Sequence, residues 1–176
     1  MKAKMIYLAT LIMVMFVISA CNNDDFPSIR EGKADSSVVT KLIDWNYPIE
    51  NQESFQFDWN SDEAFQHSVS GYKSIKYIFH TQKEFDESEL RLTHVADLFP
   101  NVDWYKQTLL LIAVYTPNII ADAKCQVYTK PGKYTIDLNL LPTYLSAFDT
   151  TIIAIVLNEK NIEEKDVKFV LRNDGW

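Results

Sequence analysis

The thiols of Cys21 and Cys125 and the imidazoles of His67, His80 and His94 are the scarce side chains of this 176-residue chain with the chemistry to attack a substrate or hold a metal. A thiol becomes a nucleophile when a base takes its proton. Cys125, however, shares the apolar side of an alternating stretch with Ala123 and Val127, the setting of an inert buried thiol. The three histidines fall at no ligand spacing such as His-x-x-x-His or His-x-Cys, so no metal centre is expected. Asp97 with Asp103, and Glu163 with Glu164, offer paired acids, but acid–base or glycosidic chemistry needs two carboxylates at a fixed separation in a cleft. Acids are abundant enough here to be read as solvated turns, and Asp103 as a residue orienting the loop ahead of a strand. With four glycines in all, no phosphate-cradling loop or Gly-x-Ser-x-Gly elbow occurs. The remaining chemistry is aromatic. Trp45, Tyr47 and Trp59, with Phe55 and Phe57 between them, could stack on sugar faces or anchor a protein partner if exposed, or cover one face of a sheet if buried. Trp45, Tyr47 and Trp59 are therefore the ligand-binding candidates, with no catalytic residue, metal or cofactor expected.

Cys21 belongs to a different chemistry. Lys2 and Lys4 lead into an apolar or small run from Met5 to Ala20 that ends Ile18-Ser19-Ala20-Cys21. A positive start, an apolar middle and small residues before a cut describe an export signal. The run is short for a bilayer, which asks for roughly 20 apolar residues, and no basic flank follows Cys21. Residues 18 to 21 resemble the lipobox of bacterial lipoproteins, which implies that residues 1–20 are a signal peptide and that Cys21 is acylated and becomes the N-terminus. Several acyl chains, at about 0.8 kcal/mol per buried methylene, make a lasting anchor. The acidic stretch Asn22-Asn23-Asp24-Asp25 resembles the start of lipoproteins from Bacteroidetes-type bacteria, which implies an outer-membrane location and display at the cell surface.

Removing residues 1–20 leaves 156 residues, a length suited to one domain with a substantial core. Lys2 and Lys4 leave with the signal, so fifteen basic groups face twenty-four acidic ones, a net −9. That balance, with no basic stripe to offset it, argues against nucleic acid and against anionic headgroups as partners. With Cys21 acylated, Cys125 has no cysteine to pair with, so stability must come from packing.

The elements follow from the patterning. Residues 21–41 are polar and read as the lipidated N-terminus and a flexible tether, with a single β-rich domain over 42–176. Phe55, Phe57 and Trp59 alternate with Gln56 and Asp58, as a short strand does, before a turn at 60–63. Ile75, Tyr77 and Phe79 alternate with Lys76 and His80 in a second strand. Thr81 and Glu84 have the spacing of a capping box, so a helix is expected from there toward Pro100, burying Phe85, Leu90, Leu92, Val95 and Leu98. The continuous apolar run Leu109 to Val114 suits a central strand covered on both faces. Two alternating stretches, with Ile119, Ala121, Ala123, Cys125 and Val127 inward in the first and Tyr134, Ile136, Leu138 and Leu140 in the second, flank Pro131-Gly132 and form a hairpin. Strands are also expected over Thr150 to Leu157 and around Val167 to Leu171, with an irregular stretch from Leu141 to Asp149. The fold class is mainly β (α+β): six to seven largely antiparallel strands with one helix, as a sandwich or half-barrel.

From about Lys73 to Asn173, the order of strand, capped helix at Glu84-Phe85, and Asp103-Trp104-Tyr105-Lys106 entering a leucine-rich strand resembles the small β-rich domain at the C-terminus of protease-complex accessory subunits, the PrcB-like group, also found in Bacteroides-type lipoproteins. The resemblance implies a β-rich fold and no catalytic residue. The expectation is a membrane-anchored, non-enzymatic binding or accessory lipoprotein of the envelope, with an envelope protein or a glycan as ligand. The rival is an envelope hydrolase with a dispersed site.

Overall fold

The apolar run at Leu110 becomes the middle strand of the larger of two sheets. A computed structural model describes residues 26–29, 33–45, 55–68, 71–93 and 95–173. Cys21, Tyr47 and His94 lie outside them. The strands are β1 (Val39–Asp44), β2 (Phe65–Gln66), β3 (Lys73–Phe79), β4 (Thr108–Thr116), β5 (Ile120–Lys130), β6 (Lys133–Pro142), β7 (Asp149–Leu157) and β8 (Val167–Arg172). The larger sheet has the order β1-β7-β4-β3-β2, antiparallel throughout. The smaller has the order β5-β6-β8, in which β8 runs parallel to β6. The two sheets do not close into a barrel; they stack as a β sandwich.

Strand β4 is buried on both faces, and alternation assigns its side chains to two different layers. Leu110, Ile112 and Val114, with Ile153 and Ile155 of β7, pack against Val127, Ile136, Leu138, Val167 and Leu171 of the smaller sheet. Leu109, Leu111 and Ala113, with Ile152, Ala154 and Val156, face the opposite way, onto Trp45, Phe57, Phe85, Leu90 and Val95. That second layer is built from the connections, including the short helical turns that carry Phe85 and Leu90, so the apolar strand is covered without a long flanking helix.

The helix is much shorter than its apolar pattern suggested. Thr81 caps α1 (Gln82–Asp86) by accepting from the Glu84 N–H at 3.1 Å, while the Glu84 carboxylate accepts from the Thr81 N–H, so the capping box forms. Beyond it the Ser88 hydroxyl donates to the Phe85 carbonyl at 2.6 Å and the Thr93 hydroxyl to the Leu90 carbonyl at 2.7 Å. Hydroxyls that bond back to the main chain favour turns over a continued helix, and two single-turn 3-10 pieces, Glu89–Leu92 and Ala96–Leu98, replace it. Leu90 and Val95 are still buried, whereas Leu92 and Leu98 are exposed.

Three other expectations change. Residues 55–58 form no strand, although Phe57 is buried and Gln56 and Asp58 are exposed: the chain is extended and alternates without a sheet partner. In β5 the pairing shifts between Ile120 and Asp122. This bulge turns Ile120 inward and leaves Ile119 and Ala121 exposed, ahead of Ala123, Cys125 and Val127 on the core side. The ordered chain also starts before Leu42. Val38 is in the core, the Asp35 N–H donates to the Val127 carbonyl at 2.7 Å, and Thr135 Oγ1 donates to the Pro27 carbonyl at 2.8 Å. Residues 26–29 and 33–41, read from sequence as part of a flexible tether, are thus engaged with the domain in part: Pro27 is buried against β6 and 39–41 belong to β1.

Candidate binding surface

The aromatic candidates divide. Trp45 is 9 % exposed and meets Phe57 edge-on at 4.9 Å between ring centroids and Phe55 at 5.8 Å, so it is core. Trp59 is half-buried and lies 5.2 Å from Phe57 on one side and 5.5 Å from Tyr115 on the other. Tyr115 in turn stacks on Phe148 at 5.3 Å. A row of rings therefore runs from the core, through Trp59, to a loop at one end of the sandwich. The burial that disqualifies Trp45 as a ligand platform makes Phe148 the exposed terminus of the row.

At that end two loops present apolar groups to water. Phe148 is 75 % and Leu145 64 % exposed, and Tyr144, Leu141 and Ile119 are also exposed. Main-chain bonds tie the loops together: the Ile119 N–H donates to the Leu145 carbonyl at 3.3 Å and the Thr143 N–H to the Ile119 carbonyl at 2.7 Å. Asp149 accepts from the Ile120 N–H at 3.1 Å, and the Thr116 hydroxyl donates to the Asn118 carbonyl at 2.9 Å. An apolar cluster of this kind at the tip of an ordered sandwich is the pattern expected of an interaction surface. From sequence alone, residues 141–149 read only as an irregular stretch. The signal of the surface was there: residues 141–148 hold Leu, Tyr, Leu and Phe and not one charge in a chain that is 23 % charged.

A second feature is an open groove of about 930 Å³ along the outer edge of β3, lined by Asp62, Glu63, Phe65, Lys76, Tyr77 and Glu164 among others. The Lys76 ammonium contacts Glu164 at 2.5 Å. Burial first, and then the nearby carboxylates of Glu63 and Glu89, hold the Tyr77 phenol above its ordinary pKa.

The nucleophile and metal candidates stay apart. Burial, with Asp137 nearby, pushes the Cys125 thiol up to about 12, far from the depressed value of a reactive cysteine. His67 is buried with Nε2 2.8 Å from Ser74 Oγ, between the rings of Phe65 and Phe169, and burial together with Lys76 lowers its pKa. His80 Nε2 lies 2.9 Å from the Ile162 carbonyl; because a carbonyl can only accept, that nitrogen carries the proton. Among the described residues no three His, Cys, Asp or Glu side chains gather as a metal shell. The paired acids are engaged locally. Asp97 meets Arg91, Glu163 meets Lys165, and Asp103 Oδ1 accepts from the Tyr105 N–H at 3.1 Å in the turn before β4.

The architecture defines a β-sandwich protein with a second, aromatic cover on its larger sheet. Compared with known proteins, the chain matches no family model, and no curated protein or solved structure is significantly similar to it.

Proposed function

We propose that this protein is a lipid-anchored, non-enzymatic binding or accessory lipoprotein of the bacterial outer membrane, which offers the end of its sandwich to an envelope protein. The observation that supports this reading best is the set of exposed apolar residues at one end of the sandwich: Ile119, Tyr144, Leu145 and Phe148 on two mutually bonded loops, with Leu141 near the end of β6. Its aliphatic content fits a protein surface better than a sugar, which would want polar groups converging beside the rings.

Phe26 and the loop cluster are at opposite ends of β6. Lys130 and Lys133, at the β5–β6 turn, meet the chain at Phe26: the Lys133 ammonium lies 5.3 Å from the Phe26 ring centre. The cluster lies at the far end of β6, ten residues away and so about 30 Å distant at roughly 3.4 Å per residue. Phe26 is five residues along the chain from Cys21, a reach of at most about 18 Å. An acylated Cys21 then holds the turn end near the bilayer, with the loop cluster pointing away from it.

The rival reading, an envelope hydrolase, has the acids of the β3 groove in its favour, although among the described residues no histidine, serine or cysteine lines it. One experiment separates the two. Wild type, a Tyr144→Ser/Phe148→Ser variant and a Cys21→Ala variant are expressed in cells fed a clickable fatty acid and purified after mild cross-linking. The proposal expects lipid label on the first two only, and a discrete cross-linked protein on wild type that the loop variant loses while its melting temperature is unchanged. Equal labelling of Cys21→Ala would overturn the anchor; an unchanged cross-linked band on the loop variant would overturn the surface.

A further inference from the structure

Among the described residues, the larger sheet is left open along most of one edge. Strand β2 pairs with β3 only at Lys73 and Ser74, and beyond Ser74 that side of β3 has no strand neighbour among the described residues. The direction of the free groups follows from one bond. The His67 N–H donates to the Tyr72 carbonyl at 3.1 Å, so the main chain of Tyr72 faces β2. In an extended strand every second residue faces the same way, which sends the N–H and C=O groups of Ser74, Lys76 and Ile78 outward and leaves those of Ile75, Tyr77 and Phe79 on β4. The open length, Ile75 to Phe79, is about 17 Å at roughly 3.3 Å per residue.

Sheet edges are usually guarded, often by an edge lysine. Here the Lys76 ammonium is engaged by the Glu164 carboxylate at the groove wall, so its charge is already matched. The groove beside the edge carries Asp62, Glu63 and Glu164 against Lys76 alone, and Phe65, 61 % exposed, forms part of its wall. A second copy of so acidic a chain would be repelled there, whereas a cationic strand would be drawn in.

We infer that the groove along β3 is a docking site for an extended, basic peptide segment of a partner protein, which adds to the larger sheet as a strand through the main chain of Lys76 and Ile78. Main-chain pairing supplies affinity in such complexes, and alternate side chains supply selectivity. This site is separate from the loop cluster and does not depend on it or on the anchor.

The test uses the domain with a fluorescent nine-residue peptide of alternating Lys and Thr, a Glu-for-Lys counterpart, and a Lys/Thr peptide N-methylated at every second residue along one edge. The inference expects the Lys/Thr peptide to bind at least tenfold tighter than both controls. Amide exchange at Lys76 and Ile78 should slow at least tenfold on saturation, and Glu63→Gln/Glu164→Gln should weaken binding with the melting temperature kept. Equal binding of the N-methylated peptide would reduce the contact to charge alone and overturn strand addition. Unchanged exchange at Lys76 and Ile78 would overturn the location, and a concentration-dependent dimer protecting the same amides would replace the peptide by a second copy.

Discussion

Phe57 tests whether the aromatic segment is core or ligand platform. Its ring is 7 % exposed and touches Trp45 at 4.9 Å, Phe55 at 5.1 Å, Trp59 at 5.2 Å and Tyr77 at 6.3 Å between centroids, with the first two edge-on. Truncating a buried phenylalanine to alanine removes its burial and leaves a cavity, together about 3 to 5 kcal/mol. Part of that is the edge-to-face contacts, each about 0.5 to 1.5 kcal/mol beyond area alone. For a domain of this size about 2 to 4 °C of melting temperature goes with each kcal/mol, so Phe57→Ala should melt about 6 to 20 °C lower. The control is Phe148→Ala, whose ring is mostly in water and, among the described residues, stacks on Tyr115 alone; its cost should stay under about 1 kcal/mol. Urea denaturation of both variants, followed by tryptophan fluorescence, measures the difference. A Phe57→Ala protein within about 1 kcal/mol of wild type would mean that the aromatic segment does not cover the larger sheet, and the two-faced burial of β4 would be refuted with it.

Other consequences are equally direct. Asp137 is 1 % exposed and accepts two bonds from the Arg172 guanidinium, at 2.8 and 2.6 Å, so Asp137→Asn should lower stability by roughly 1 to 3 kcal/mol, read as a shift of the urea midpoint. Alkaline pH should destabilise the fold. The thiol of Cys125 and the phenol of Tyr134 are both pushed up to about 12 by burial, so between about pH 9 and 12 the folded chain keeps protons that the unfolded chain releases, and stability falls as pH rises through that window. Urea midpoints from pH 8.5 to 11.5 check this, and Tyr134→Phe should flatten the decline above pH 10. Gly132, at φ +68° in the β5–β6 turn, has open space around it, so Gly132→Ala meets only backbone strain and should cost roughly 1 to 2 kcal/mol in a thermal melt.

The parts of the fold legible in the sequence were those set by neighbours along the chain. The unbroken apolar run of Leu109 to Val114 needs cover on both faces and receives it; the Thr81–Glu84 spacing caps a helix; Pro131-Gly132 can only be a tight turn. What depended on distant partners was hidden. Nothing local says that β8 will lie parallel to β6, or that β5 bulges after Ile120. Nor does the alternation of Phe55, Phe57 and Trp59 reveal that an unpaired strand-like segment can still be a layer of core. The helix failed for a readable reason, since Ser88 and Thr93 carry hydroxyls able to bond back to the main chain. Among the aromatic residues, Trp45 is buried and Trp59 half-buried, whereas exposure falls to Tyr144, Leu145 and Phe148, in a segment whose lack of charge is its only mark.

Site-specific photocross-linking in living cells tests the proposed surface most directly. A benzoyl-phenylalanine at position 148 replaces one exposed ring by another, and the same group at position 130 reports the β5–β6 turn, at the end where Phe26 joins the domain. The account predicts a discrete protein adduct from position 148 and none of that mass from position 130. An adduct from position 130 with none from 148, or none from either, would contradict it.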